Sequence, residues 1–204
     1  MRNLKLQVQI TVDGFVAGPN NEMDWITVPW TEDIGQYVTA LTEPVDTIVL
    51  GRNLAEGFIP HWASVAADPN HPEFSSGQLF TNVPKVVFSR TLKASKWENT
   101  VLAKGDLVAE ITRLKQQTGG DIIAYGGATF VSALIEHDLI DDYHLFVNAN
   151  AIGSGKPIFT GRQNLKLKQV TPFDCASWCC TTSRQAVNLK VAHCHSRKHL
   201  AQTN

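Results

Sequence analysis

The chain has 204 residues, 43% of them hydrophobic and 18% charged, with a formal net charge of −1. Those values suit one folded domain with a sizeable core and give no basic footprint for nucleic acid or an anionic membrane. No apolar run reaches the roughly 20 residues that a spanning helix needs, so a cytoplasmic protein without nucleic-acid or membrane partners is expected.

The first residues, MRNLKLQVQITVDG, alternate apolar and polar side chains. This predicts a strand with Leu4, Leu6, Val8, Ile10 and Val12 on one face, not the solid apolar core of a signal peptide. EDIGQYVTAL sets Ile34, Val38 and Leu41 on a helical stripe. VDTIVL reads as a buried strand running into GRNLAEGF. The next stretch, IPHWASVAADPNHPEFSSGQLFTNVP, is Pro-rich and exceeds the about 12–15 residues of a routine connection, which predicts an irregular functional segment. Its Trp62, Phe74 and Phe80 argue against disorder. KVVF is another strand, followed by SRTL, and Asp106 suits the N-cap of a helix burying Leu107, Ile111 and Leu114.

DIIAYGGATF then carries a short apolar run, Ile122 to Tyr125, into Gly126 and Gly127 and a helical stripe of Phe130, Val131, Leu134 and Ile135. Glycine at such a turn tolerates φ > 0 and admits a close neighbour, and the helix N-terminus behind it presents unpaired N–H groups that suit a phosphate. A tight turn without a ligand explains the pair equally well, and the G-x-G-x-x-G spacing is absent. DDYHLFVNANAIG and LKLKQVTPFDC follow as strands. Interleaved strands and helices, then two successive strands, predict an α/β sheet that is mostly parallel with an antiparallel element near the C-terminus.

Three strand ends bear related residues: Gly51, Arg52 and Asn53; Ser89, Arg90 and Thr91; and Gly126, Gly127, Ala128 and Thr129. In open α/β sheets ligands collect beyond the carboxyl ends of the strands, so these segments are placed to converge on one crevice. Arginine forks match phosphate oxygens, although any one arginine is more simply a solvated surface charge.

The stretches TVDGFVAG, DTIVLGRNLAEGF, KVVFSRTL, DIIAYGGATFVSALIEHDLIDDYHLFVN and AIGSGKPIF occur in the order of a known family. The chain resembles the dihydrofolate-reductase-like superfamily, in the branch related to the reductase domain of riboflavin biosynthesis. That resemblance implies a central mixed sheet flanked by helices over residues 1–175, an NADPH cofactor and a homodimer. It implies the nicotinamide near Gln9 to Val12 and the cofactor phosphates at Gly51, Arg52 and Asn53. The 2′-phosphate falls to Ser89 and Arg90, beside Thr91, and the pyrophosphate to Gly126 to Thr129. The Gly-Gly bond of this superfamily is often cis. Leu54 and Ala55 stand where the family more often has an aromatic residue, and ANAIG replaces a common proline after HLFVN.

Hydride transfer to a C=N bond benefits from a nearby acid. The resemblance points to a carboxylate on the first helix, hence Asp33 with Glu32 beside it, although carboxylates also favour a first helical turn through the macrodipole. Asp13 is a second candidate, yet in TVDGF it also suits a turn fixed by its own side chain. His61 and Trp62 are placed to cover a planar substrate. The expected function is an NADPH-dependent reductase of a pterin-, folate- or pyrimidine-like heterocycle or a sugar-like imine. The alternative is a non-catalytic binder of nucleotide or small molecule.

Residues 176–204 read as an atypical tail, its start pairing as an edge strand. The four cysteines all follow position 170, but the vicinal pair and HCH lack paired ligand spacing, so no metal site is expected. The family ends instead with a strand resembling FDCGIVVLHYKP. A permitted back-translation of the residues after Cys175 reads Gly-Ile-Val-Val-Leu-His-Tyr-Lys-Pro once a single G is restored in front. The expectation is a frameshifted tail without selected function.

Overall fold

The computed structural model describes residues 1–184, so most of the atypical tail lies outside the described residues. In chain order the strands are β1 (Leu4–Thr11), β2 (Phe15–Ala17), β3 (Val45–Gly51), β4 (Lys85–Phe88), β5 (Thr100–Ala103), β6 (Asp121–Ala124), β7 (Asp142–Asn148), β8 (Lys156–Pro157), β9 (Leu165–Pro172) and β10 (Trp178–Arg184). The helices are α1 (Glu32–Thr42), α2 (Arg52–Ala67), α3 (Phe74–Asn82), α4 (Leu107–Gln116) and α5 (Ala128–Glu136).

Eight strands form one sheet in the order β5-β4-β3-β6-β1-β7-β10-β9, and β2 pairs with β8 beside it. Pairing is parallel from β5 through β7 and antiparallel at β7–β10–β9. The fold is therefore the mixed, mostly parallel α/β sheet that the pattern implies. Alternation along β1 sends Leu4, Leu6, Val8 and Ile10 to a core built with Ile111 and Leu114 of α4 and Val131, Leu134 and Ile135 of α5. The opposite face packs Ile48, Leu50, Val87 and Ile123 against Leu41, Ala55, Ile59 and Phe80 of α1, α2 and α3. Val12 departs from its expected stripe: it follows the end of β1 and is 56% exposed.

The long Pro-rich segment is not irregular. It is most of α2 and all of α3. Pro60 lies inside α2 on its exposed side, where a proline removes one ladder bond while Ala55, Ile59 and Val65 still bury the other side. Gly77 lets α3 approach α2, because a Cβ there would sit 2.7 Å from the backbone N of Ala66. Phe58, Trp62 and Phe80 join Tyr125 in this layer, with Phe58 stacked on Tyr125 at 5.5 Å. Strand β5 is absent from the sequence reading because TVLA is short and Val101 is exposed at the sheet edge. Helix α5 begins at Ala128, slightly earlier than expected.

The start of the tail is a second departure. β10 is not an edge strand but sits between β7 and β9, bonded to both, so the sheet runs past the expected boundary at residue 175. Its Thr181 and Cys179 reach a buried cluster around Tyr37. The Tyr37 hydroxyl lies 2.8 Å from His144 Nδ1 and 2.9 Å from Thr181 Oγ1. Phe146 and Phe173 pack edge-on to the Tyr37 ring.

Burial pushes the His144 pKa down to about 4. Above pH about 6.5 the imidazole is neutral in both folded and unfolded chains and contributes no pH dependence. Between about 6.5 and 4 the unfolded chain takes up a proton that the folded chain refuses, so stability falls as the pH falls. The loss is expected to be on the order of 1–3 kcal/mol. His144→Gln should flatten the urea-measured stability profile across that window.

Candidate functional site

Parallel pairing aligns the carboxyl ends of β3, β4 and β6, with Leu50 opposite Val87 and Val49 opposite Ala124. The chain leaves each strand at the same edge, and a cleft of about 650 Å³ opens there. Gly51, Arg52, Asn53, Ser89, Arg90, Thr91, Gly127, Ala128 and Thr129 all line it. Nine of the residues singled out from three separate strand ends are thus brought together. Gln9, Val12, Gly126, Asp13 and Asp33 are not among the lining residues.

The cleft is polar for a backbone reason as well as a side-chain one. Helices α2 and α5 both start at its wall, and neither has a side-chain cap on its N-terminus. The first intrahelical bond closed at Gly127 is from the Val131 N–H, so the N–H groups of Ala128, Thr129 and Phe130 have no helical acceptor. They lend the cleft a partial positive charge. By contrast α4 is closed by Asp106, whose carboxylate accepts from the Val108 and Ala109 N–H groups at 2.9 and 3.2 Å. Asp106 thus serves as the expected cap.

Gly126 and Gly127 have φ of +107° and +80°. The peptide bond between them is trans, not the cis form that the resemblance implied. A Cβ on Gly127 would meet nothing nearer than Leu54 Cβ at 3.6 Å, so conformation and not space demands glycine there. At Gly51 space decides, because a Cβ would fall 2.7 Å from Phe130 Cβ. Phe130 in turn packs on Phe88 at 5.2 Å, giving the polar cleft an aromatic floor.

Ser89 spends its hydroxyl locally, accepting from the N–H groups of Thr91 and Leu92 at 3.1 and 2.9 Å. This turn presents Arg90 exposed at the rim. Arg52 is shared with Glu56 across one helical turn at 3.2 Å, a weak exposed pair that an anion can displace. Lys156 and His137 also line the cleft and add basic groups that the sequence reading missed. Lys156, on β8, is tied to the side chain of Asn21, so only tertiary pairing of the β2–β8 ribbon brings it here. The GSGKP stretch was a visible signal, but its destination was not.

Both carboxylates considered as acids are turned to backbone work. Asp33 accepts from the Thr31 hydroxyl and from the N–H groups of Ile34 and Asp174. The Thr31 hydroxyl first, then the Asp174 N–H, holds its pKa below the ordinary carboxylate value. Asp13 accepts from the N–H groups of Gly153 and Ile152 at 2.8 and 3.1 Å, fixing that loop. Its pKa is also lowered, chiefly by the Thr11 hydroxyl. Gln9 Oε1 accepts from Asn148 Nδ2 at 2.8 Å across to β7.

A second cavity of about 330 Å³ lies between α1, α2 and α3. Aromatic side chains of Trp30, Phe58, Trp62, Phe80 and Tyr125 surround it, while Gln7 of β1 and Glu73 contribute polar groups. Gln7 Oε1 is buried without a hydrogen-bond partner. The two cavities share α2 and the Tyr125–Gly127 segment as common walls: Leu54 and Gly127 face the first, Phe58 and Tyr125 the second. Trp62 of the expected pair lines this cavity, whereas His61 packs edge-on to Trp62 at 4.9 Å and does not line it.

Residues 2–184 match the family of the RibD C-terminal domain. The chain belongs to that family. It is 32% identical to the uncharacterized protein YyaP of Bacillus subtilis (strain 168) over 173 residues, covering 83% of this chain and 87% of that one. It is 26% identical to the uncharacterized protein YwjB of the same organism over 175 residues, covering 84% and 92%. Among solved structures, the putative riboflavin biosynthesis protein of Shewanella sp. PV-4 superposes with a TM-score of 0.68 at 22% identity, covering 91% of this chain and all of that one. The Thermotoga maritima diaminohydroxyphosphoribosylaminopyrimidine deaminase/5-amino-6-(5-phosphoribosylamino)uracil reductase superposes at 0.63 with 17% identity, and this chain spans 57% of its length. The RibD-family member thus has a reductase-like fold, and no helix among its described residues is long and apolar enough to cross a membrane.

The left-handed turn gives a test that needs no ligand. Gly127→Ala should destabilise the folded chain by about 1–2 kcal/mol, because a Cβ disfavours that backbone region. The thermal midpoint should fall by roughly 2–8 °C.

Proposed function

We propose that this RibD-family chain is an NADPH-dependent oxidoreductase. It reduces, by hydride transfer, a small planar heterocycle of pterin, folate or pyrimidine type, or a sugar-like imine. One observation carries the reading: two uncapped helix N-termini and two arginines share a cleft whose wall is also the wall of an aromatic cavity. The first half suits a dinucleotide phosphate chain and the second a flat ring. The structurally similar Thermotoga maritima protein, a 5-amino-6-(5-phosphoribosylamino)uracil reductase, supports the same direction.

In this proposal Arg52, Asn53 and the first-turn N–H groups of α2 and α5 hold the pyrophosphate. Arg90, presented by the Ser89–Thr91 turn and aided by Lys156, holds the 2′-phosphate. NADPH, when bound, supplies the hydride. The aromatic walls exclude water from the ring, and Gln7 orients it by accepting a hydrogen bond from a ring N–H. Asp13 and Asp33 are held ionised by the groups they cap, so neither is the proton donor in this scheme. Glu73 is the carboxylate that lines the substrate cavity, and as an exposed side chain it relays protons with solvent.

The engagement of both expected acids is also what favours a second reading, a non-catalytic ligand binder on the same frame. Consumption of NADPH with pterin, folate and pyrimidine substrates separates the two: binding without turnover across the panel supports the binder.

Tryptophan quenching should report tighter binding of NADPH than of NADH. Arg90→Ala should weaken NADPH by roughly ten- to a hundredfold, about 1.5–3 kcal/mol, and leave NADH nearly unchanged. Equal losses for the two cofactors would remove Arg90 from the 2′-phosphate site. Gln7→Leu should lower kcat/KM for the ring substrate by roughly tenfold or more without altering NADPH affinity. Asp33→Asn should change kcat little, whereas a drop of about 10²-fold or more would restore Asp33 as the acid.

A further inference from the structure

We infer that residues 176–204 are read in a frame displaced by one lost base, and that the strand meant for the β10 position begins with an apolar run. The hairpin joining β9 to β10 supplies the first observation. Phe173 N–H bonds Ser177 O at 2.9 Å and Ala176 N–H bonds Phe173 O at 3.1 Å, enclosing a three-residue loop. Its last residue, Ala176, has φ +63°. The other non-glycine residues with positive φ among those described are Asn21, Asn99 and Asp138, types that tolerate it. This loop type asks for glycine at Ala176.

Polar residues are buried just before and along β10. Ser177 is 3% exposed, its hydroxyl 3.0 Å from Cys175 Sγ, and Thr182 is 7% exposed. The Thr182 Oγ1 is buried without a partner. Cys179 is fully buried beside Ile34, Phe146 and Phe173, where its thiol donates to the Tyr37 hydroxyl at 3.5 Å. Buried polar groups in a strand interior are ordinarily hydrogen-bonded or replaced by apolar ones.

The genetic code resolves the mismatches at residues 176–180 together, while the Thr181 and Thr182 positions become YAC and NAC codons, His or Tyr and then Tyr, His, Asn or Asp. Tryptophan has the single codon TGG, and both cysteine codons begin TG. Read one base earlier, the last G of Trp178 joins the TG of Cys179 to give valine. The pyrimidine ending Cys179 then joins the TG of Cys180 to give leucine, whichever cysteine codon is used. If Ser177 is encoded by TCN, the Ser177 and Trp178 positions become apolar as well. A G restored before the GCN codon of Ala176 gives GGC, glycine, at the residue with positive φ. The last base of the Val187 codon, if T, joins the AA of Asn188 to make a stop.

The coding DNA and a melt test this. We expect a TCN codon at Ser177 and a displaced frame open through Arg184 that stops by Asn188. An AGT or AGC codon there, or a stop inside the strand, overturns the inference. The chain expressed with one G restored should melt roughly 4–10 °C higher than the chain as it stands, and Ala176→Gly alone should raise the midpoint by a smaller amount. An unchanged or lower midpoint for both overturns it. These outcomes do not depend on the proposed activity.

Discussion

One row of side chains runs across every strand of the main sheet, and the rest of the molecule hangs on it. In register it passes through Val101, Val86, Val49, Ala124, Leu6, Tyr143, Thr182 and Leu167. Its inner members face α4 and α5, and the residues one step along each strand face the other three helices. Because successive side chains alternate between faces, a one-residue slip in any central strand would exchange the two cores. Register is therefore strongly fixed, and with it the level at which each parallel strand ends. The cleft is a consequence of that level, since β3, β4 and β6 release their chains side by side.

Charge is distributed along the same polarity. At the amino ends of the strands, cations and carboxylates are paired in the fold: Arg2 with Asp46, Lys5 with Asp121, and Lys115 with Asp141. Lys115 is buried and also donates to Leu139 O at 3.1 Å. At the carboxyl ends the basic groups are left facing open space, with Arg90 exposed and Arg52 held by a single exposed carboxylate. One edge is thus a structural seam of paired charges, and the other carries exposed basic groups around an open cleft.

The sequence disclosed more of the frame than of the chemistry. Residues 4 to 10, 45 to 51 and 121 to 124 announce themselves because their apolar periodicity is imposed by burial on one or both faces, and Asp106 announces its helix because a cap acts on its own neighbours. The nine cleft residues were legible for the same reason, as strand ends in a parallel sheet converge by topology. What stayed hidden depends on distant partners. Pro60 looked like a breaker because its exposed side could not be told from its buried one. The hold of Asp33 on the Asp174 N–H was hidden because that partner lies far along the chain. Gln7, Glu73 and Lys156 belong to cavities assembled from three or more elements, and nothing local marks them.

A sheet that accepts β10 with ill-fitting side chains shows which forces carry the C-terminal half. Ladder bonds are made by backbone groups, so six consecutive residues can pair with β7 and seven with β9 whatever they bear. The local shift of register between Thr181 and Thr182 confines the irregularity to one step. Side chains then decide only how well the faces fill. On the face toward Tyr37, hydroxyl and thiol groups find partners in the ring hydroxyl and the aromatic cluster closes around them. On the other face Thr182 finds none, and beside it Leu167 and Val170 remain 57% and 49% exposed. The cleft lies three to five strands from β10, at the ends of β6, β3 and β4, with β1 and β7 between.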